Sequence, residues 1–227
     1  MKHGMEQCKT DPCVFRKIRD GKLVMILAVH VDDIAVAGVP DEIEKLEKVL
    51  NEDFSTANLG LLNLFTGCVV EQDVEHGFVT ISQTPFIETL AKRFDVTKTF
   101  EHPAVVGADL DARKEGESGG PWPYREAVGS LMWLVTMTRP DIANAVRAVA
   151  RHSHNPTERH WKAVLRIIGY LLGSKDLGIT FQRGFGFDLD FLRILTLLRR
   201  RMTDVLFRGS RFVFVVQSYL GRVIRRE

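Results

Sequence analysis

The sequence predicts an α+β protein, with antiparallel strands in its N-terminal half and helices in its C-terminal half. Two apolar runs, residues 23–29 and 34–37, are separated only by His30-Val31-Asp32-Asp33, which is typical of a strand hairpin. Beyond residue 124, apolar residues recur at helical spacing. The polar, glycine-rich residues 114–121 between these regions indicate an internal boundary.

The N-terminal elements follow in order from the pattern. A short strand within residues 11–15 and a turn at residues 20–22 lead into the hairpin. The apolar spacing of residues 41–54 predicts a helix capped by Asp41, with Glu44 three residues later. Residues 58–82 return to strands with a turn at residues 75–77, and a second helix is expected from about Thr84 to Phe94.

The C-terminal elements are expected to be helical after a loop or linker over residues 98–123. Thr138 to Asp141 resembles a capping box with Pro140 in the first turn, and Asn155 begins the next helix in the same way. Gly173 is placed to end that helix. The aromatic residues Trp133, Trp161 and Tyr170 are expected to pack in the core rather than to stack on bases.

Composition limits the class of protein. The chain has 227 residues, 45% hydrophobic and 26% charged, which is ordinary for a soluble protein. No run approaches the roughly 18–20 uncharged apolar residues of a membrane span, and residues 1–20 lack a secretory signal, so no membrane partner is expected. The three cysteines include no Cys-x-x-Cys pair, which argues against a zinc site. They favour a reduced intracellular compartment, cytoplasmic or nuclear.

Charge is unevenly distributed. Residues 183–227 contain ten Arg, no Lys and four acidic residues, whereas all eleven Lys lie in the preceding 182 residues. The chain is therefore a near-neutral body with an arginine-rich tail rather than a uniformly basic protein.

Asp32 and Asp33 are the candidate chemical site. Burying a carboxylate is costly unless it is paired or binds a metal, and oxygen ligands suit a hard cation. Adjacent aspartates are also common in solvated turns. The local pattern alone supports a cation site and a solvated turn about equally.

Four segments, taken together, resemble the C-terminal part of the reverse transcriptase of copia-type LTR retrotransposons. The first is the hairpin, residues 26–34, which contains His-Val-Asp-Asp. The others are residues 54–67, residues 81–87, and the helical group formed by residues 124–142, 160–161 and 170–173. They occur in the family's order, and the resemblance covers roughly residues 8 to 183.

The resemblance implies a domain organisation. Residues 1–100 would be the end of a reverse-transcriptase palm, a palm remnant carrying the antiparallel hairpin, with a thumb-like segment. Residues 101–123 would be a linker, and residues 124–183 a helical connection towards RNase H. Residues 184–227 match no RNase H motif, so a frameshift near residues 185–190 or disorder is expected. A basic amphipathic helix over residues 189–202 is the alternative.

The resemblance also implies an activity, RNA-directed DNA polymerisation with Mg²⁺ on an RNA or DNA primer–template. Two metal ions would stabilise the attacking and leaving oxygens, with Asp32 as the main ligand and Asp33 as a second one. The family requires another Asp on an earlier strand, together with a fingers segment, and neither is in this sequence. Weak Mg²⁺ binding and no activity of the chain alone are therefore expected. The alternative is a non-catalytic transposon relic with at most nonspecific nucleic-acid binding.

Several other groups could carry chemistry. His152, His154 and His160 lack accompanying ligands with metal-site spacing. Lys45 and Lys48 follow the hairpin, where some polymerases keep a Lys that protonates pyrophosphate, but a solvated helix face is the favoured reading. Surface solvation is likewise favoured over phosphate contact for Arg147, Arg151, Arg159 and Arg166.

Overall fold

The computed structural model describes residues 4–54, 56–182 and 221–226, and these form two compact units. Among the described residues, unit 1 comprises residues 4–80, 180–182 and 221–226, and unit 2 comprises residues 81–179. The predicted mixture of antiparallel sheets and helices is confirmed.

Unit 1 is built on a six-stranded sheet in the order β1-β2-β3-β4-β10-β5. The strands are β1 (Glu6–Gln7), β2 (Val14–Arg19), β3 (Lys22–His30), β4 (Asp33–Gly38), β5 (Thr56–Leu61) and β10 (Gly221–Arg226). The predicted hairpin is confirmed as β3 and β4, which pair antiparallel from Met25↔Gly38 to His30↔Asp33. It is not buried throughout, since Ile26 is 41% exposed.

Helix α1 (Pro40–Asp53) packs its apolar face on this sheet. Ile43 is buried, and Leu46 and Leu50 pack against the same cluster as Met25 and Val36. The prediction that Asp41 caps the helix was wrong. Val39 is the N-cap and Pro40 occupies the first turn, because its fixed φ and missing N–H suit that position.

A smaller antiparallel sheet has the order β6-β7-β8-β9. Its strands are β6 (Leu64–Phe65), β7 (Cys68–Asp73), β8 (Phe78–Ser82) and β9 (Ile179–Gln182). The predicted turn at residues 75–77 joins β7 to β8, and Gly77 has a φ of 71° there. The hydroxyls of Thr80 and Thr180 lie 3.1 Å apart, which links strands 100 residues apart in sequence.

Unit 2 is a helical bundle. It contains α2 (Thr84–Arg93), α3 (Tyr124–Met137), a 3₁₀ turn (Pro140–Ile142), α4 (Ala143–Ala150) and α5 (Glu158–Gly173). Its core joins all four helices through buried residues such as Ile87, Leu131, Val149 and Ile168. Gly173 ends α5 as predicted.

The helix starts in unit 2 differ from prediction. Thr138 is the C-cap of α3 rather than the N-cap of the next helix; its hydroxyl donates to the Gln83 Oε1 atom at 2.8 Å, and α4 begins only at Ala143. Helix α5 is capped by Thr157 rather than Asn155, and His160 completes the capping box. Imidazole nitrogen can replace the usual Glu or Gln oxygen, a substitution that the sequence pattern did not reveal.

The irregular stretch between α2 and α3 lies within unit 2, and the division between units falls at residues 80 and 81. Arg159 on α5 donates to carboxylate oxygens of Asp109 at 2.8 Å and Glu117 at 3.0 Å. Trp122 stacks on Trp161, with ring centroids 6.4 Å apart. Side chains therefore attach residues 109–122, most of the predicted linker, to the bundle.

Two further predictions concern the aromatic residues and the tail. Trp161 and Tyr170 pack against the core, but Trp133 is 40% exposed on α3, so its predicted burial was wrong. In the tail, residues 221–226 form strand β10. The proposed amphipathic helix over residues 189–202 and the proposed frameshift near residues 185–190 lie outside the described residues.

Candidate functional site

The hairpin between β3 and β4 carries the two predicted site residues at its tip. Because His30 pairs with Asp33, Val31 and Asp32 form a two-residue turn. Asp32 is exposed in this turn, whereas Asp33 is half-buried as the first residue of β4. The structure thus places the two carboxylates at adjacent positions at the end of the sheet.

The turn has an unfavourable backbone. Val31 has a φ of 54° and its side chain is 84% exposed. A β-branched residue is strongly disfavoured in this left-handed region, and such strain costs on the order of 1–3 kcal/mol. Val31 was not predicted to matter, although a β-branched residue in a two-residue turn was a usable signal in the sequence.

His30 and Phe65 form the side of the site. Their rings make an edge contact, with centroids 6.3 Å apart and planes inclined at 68°. This contact joins the tip of the hairpin to β6 of the smaller sheet. Phe65 had no signal in the sequence beyond its apolar character, because the contact depends on how strands 35 residues apart are arranged.

An ion-pair cluster fixes α1 immediately after the hairpin. The carboxylate of Glu42, only 3% exposed, lies 2.7 Å from Lys17, 2.9 Å from Arg19 and 3.1 Å from Lys45. Hydrogen bonds from Lys17 and Lys45 lower the pKa of Glu42 to about 2, against the opposing effect of burial. Lys45 is therefore engaged in an ion pair with Glu42 within α1, whereas Lys17 and Arg19 pair with the same carboxylate and join α1 to β2.

His160 of unit 2 is used structurally. The Thr157 backbone N–H donates to His160 Nδ1 at 3.0 Å, and His160 Nε2 lies 3.0 Å from the Asp111 carbonyl oxygen. Since Nδ1 accepts a hydrogen bond, Nε2 carries the proton and donates to Asp111. Neither ring nitrogen of His160 is left to bind a metal.

The fit of Mg²⁺ can be judged from the donor set. Among the described residues, no three or more His, Cys, Asp or Glu side chains are grouped so as to hold a metal ion. Mg²⁺ is commonly bound by one or two carboxylates plus substrate phosphates and waters. Asp32 and Asp33 match that minimal set in ligand type and number.

In the part of the chain that the structure describes, no helix is both long and apolar enough to cross a bilayer.

Comparison with known proteins shows which family the N-terminal part of the chain resembles. Residues 1–106 match the family described as reverse transcriptase (RNA-dependent DNA polymerase). The chain is 33% identical over 174 residues to the retrovirus-related Pol polyprotein from transposon TNT 1-94 of Nicotiana tabacum, which covers 73% of this chain and 13% of that protein. It is 30% identical over 169 residues to the corresponding protein from transposon RE2 of Arabidopsis thaliana, covering 74% and 12%.

A shorter relative matches over a larger share of its length. An uncharacterized mitochondrial protein of Arabidopsis thaliana is 28% identical over 155 residues, which are 66% of this chain and 62% of that protein. No solved structure matches. The chain spans only about an eighth of the length of the Pol polyproteins. The predicted resemblance is confirmed: residues 1–106 match the reverse-transcriptase family, and most of the chain is similar to Pol polyproteins of retrotransposons.

Proposed function

We propose that this chain is the C-terminal part of a copia-type RNA-directed DNA polymerase, with unit 1 holding the end of the palm. The observation that supports this most is the Asp32-Asp33 hairpin tip within the segment that matches the family. Residues 124–183 would form the helical connection that follows. The boundaries of the palm end and of the thumb-like segment within residues 1–100 stay predictions.

The proposed chemistry is nucleotidyl transfer. Asp32 would be the main carboxylate ligand of Mg²⁺ and Asp33 the second, and the bound metal would supply charge stabilisation at the reacting phosphate oxygens. The exposed position of Asp32 leaves it accessible to a metal–nucleotide complex. The strained turn at Val31 would hold Asp32 at the end of the sheet without help from a long loop.

We expect the 227-residue chain by itself to lack polymerase activity, because among the described residues no third His, Cys, Asp or Glu side chain is grouped with Asp32 and Asp33, and a bare pair of carboxylates without substrate phosphates binds Mg²⁺ weakly. Primer extension on poly(rA)–oligo(dT) with Mg²⁺ tests this. The chain would be compared with the double variant Asp32→Asn, Asp33→Asn. Asp20→Asn is the matched control, because Asp20 lies in the two-residue turn at the other end of β3. We expect background incorporation from all three.

Mn²⁺ binding, followed by water proton relaxation, tests the metal ligands separately. We expect a Kd on the order of 1 mM for the chain and for Asp20→Asn. The double variant should lose this binding. Equal binding by the double variant would contradict the role of the two aspartates, and Asp32-dependent incorporation would contradict the expected inactivity. Salt-sensitive binding of primer–template by a chain that shows no Mn²⁺ binding dependent on Asp32 and Asp33 would favour the non-catalytic alternative.

A further inference from the structure

The sheet of unit 1 contains a strand that comes from far along the chain. β4 and β5 are consecutive strands joined by α1, yet they are not hydrogen-bonded to each other. β10 lies between them, although it follows β5 by about 160 residues.

β10 is hydrogen-bonded to a neighbouring strand along both of its edges. It is antiparallel to β4 from Gly221↔Ala37 to Arg225↔Asp33. It is antiparallel to β5 from Arg222↔Leu61 to Arg226↔Thr56, with one irregularity between residues 222 and 224. Since neighbouring strands lie about 4.8 Å apart, β4 and β5 are too far apart to pair directly, and removing β10 would leave two open strand edges.

Helix α1 connects the two strands on either side of β10. It follows β4 and precedes β5 directly in sequence and contacts both. Buried Ile43 anchors it to the core beside Val36 of β4. The position between β4 (Asp33–Gly38) and β5 (Thr56–Leu61), which we call the slot, is occupied by the C-terminal strand β10.

The connection to β10 is long. Residues 183–220 separate it from β9, and 38 residues can span at most roughly 125 Å. That limit exceeds the diameter of a small domain, about 30 Å, several-fold. The connecting residues are therefore long enough for the strand in the slot to come either from the same copy or from a second copy.

We propose that the slot between β4 and β5 is a strand-acceptor site that also takes the Gly221–Arg226 strand of a second copy, so that the chain dimerises by strand exchange. An exchanged strand makes the same backbone hydrogen bonds as the chain's own strand. The equilibrium between the monomer and the exchanged dimer then depends on protein concentration. The chain's own strand is favoured at protein concentrations below its effective concentration at the slot, about 1 mM.

The exchange has a consequence beyond the proposed nucleotidyl-transfer function. In a strand that occupies the slot, residue 225 pairs with Asp33 of β4. In the dimer, each hairpin tip therefore lies beside a strand of the other copy. The site would be assembled from two chains.

Refolding the full chain at about 1 µM and at about 1 mM, followed by sedimentation after dilution, tests the proposal. We expect the dimer fraction to be at least five-fold higher after concentrated refolding. Mixed ¹⁵N-labelled and unlabelled chains should give mixed dimers only when they are refolded together. A monomer after both treatments would overturn the proposal.

Paired variants identify the strand. Val223→Pro with Ile224→Pro removes successive N–H donors, which point to opposite edges of a strand, and should abolish the dimer. Val223→Ala with Ile224→Ala changes the same positions but keeps both donors and should still dimerise. Undiminished dimer in the proline variant would contradict the assignment.

A peptide experiment does not depend on a variant that folds. A synthetic peptide of residues 219–227, added while the wild-type chain refolds at high concentration, should compete for the slot and suppress the dimer in proportion to its dose. The same peptide carrying both prolines should have no effect. Equal dimer yield with and without the unmodified peptide would overturn the proposal.

Discussion

Gly21 and Val31 lie in the two-residue turns at opposite ends of β3, and both have left-handed backbone angles, with φ of 71° and 54°. Glycine adopts this conformation without steric cost, whereas valine does not. Asp20 beside Gly21 also has a positive φ, 52°, so that turn has the favourable Asp-Gly sequence. The sheet therefore places its strained turn at the end that carries Asp32 and Asp33.

Replacing Val31 by Gly should relieve this strain and stabilise unit 1. We expect the free energy of unfolding to rise by about 0.5–1 kcal/mol, because the gain in the folded state exceeds the added entropy of the unfolded chain. Hydrogen exchange of the β3 and β4 amides in urea measures this locally. The reciprocal variant Gly21→Val should lower the same quantity by about 1–2 kcal/mol. A destabilised Val31→Gly protein would show that the turn is not strained.

The stability of unit 1 should fall in acid because of Glu42. Its pKa is lowered to about 2 in the folded state by Lys17 and Lys45, from 4.5 in the unfolded chain. The stabilisation is thus complete above about pH 4.5 and is lost as the pH falls towards 2. Its size should be about 1–2 kcal/mol, because the partner cations are partly exposed and screened by solvent.

Glu42→Gln should remove this pH dependence and lower stability at pH 7. Hydrogen exchange of α1 and β2 amides between pH 3 and 7 would follow it, after correction for the intrinsic exchange rate. Glu44→Gln is the matched control on the exposed face of the same helix. If both variants keep the acid transition, the ion-pair cluster is not its source.

Arg139 should be among the most sensitive positions of unit 2. Its guanidinium, 1% exposed, makes two hydrogen bonds to Asp141, at 2.9 and 2.8 Å, and also binds Ser174. Burial raises the pKa of Asp141, but the hydrogen bonds and charge of Arg139 outweigh this and hold it low. Arg139→Lys cannot reproduce the bidentate geometry and should cost about 2–4 kcal/mol.

Tryptophan fluorescence reports this loss selectively, since Trp122, Trp133 and Trp161 all lie in unit 2. Arg147→Lys on the exposed face of α4 is the control and should change stability by less than about 0.5 kcal/mol. A similar unfolding midpoint for Arg139→Lys and Arg147→Lys would contradict the role of the buried guanidinium.

His160 should make unit 2 sensitive to mild acid. Burial lowers its pKa, with the Asp111 carbonyl opposing and the charge of Arg159 reinforcing this shift. His152 stacks on it with centroids 4.0 Å apart, and burial and His160 lower the pKa of His152 as well. Because the lowered pKa values disfavour protonation of both rings in the folded state, stability should be complete above about pH 6.5 and fall as the pH drops further.

His160→Asn should weaken this pH dependence and lower stability at pH 7.5 by about 2–3 kcal/mol, because the Asp111 carbonyl loses its donor. The measurement is thermal unfolding followed by tryptophan fluorescence from pH 5 to 8. His154→Asn, at an exposed position two residues from His152, is the control. Unchanged pH dependence in His160→Asn would contradict the prediction.

The amino-acid sequence by itself determined the elements and the family. Apolar alternation around His30 and Asp33 predicted the hairpin, and periodicity predicted α1, α2 and α5, because these signals depend on residues close together in the chain. The adjacent carboxylates at the hairpin tip were predicted for the same reason.

Only the tertiary structure decided what depends on distant residues. It placed β10 between β4 and β5, attached residues 109–122 to α5, and brought Phe65 to His30. It also gave His160 a partner 49 residues away, which made it a structural residue rather than a candidate ligand. Strand order and the pairing of buried polar groups are set by packing and hydrogen bonding between residues far apart in the chain. Local sequence patterns therefore do not predict them.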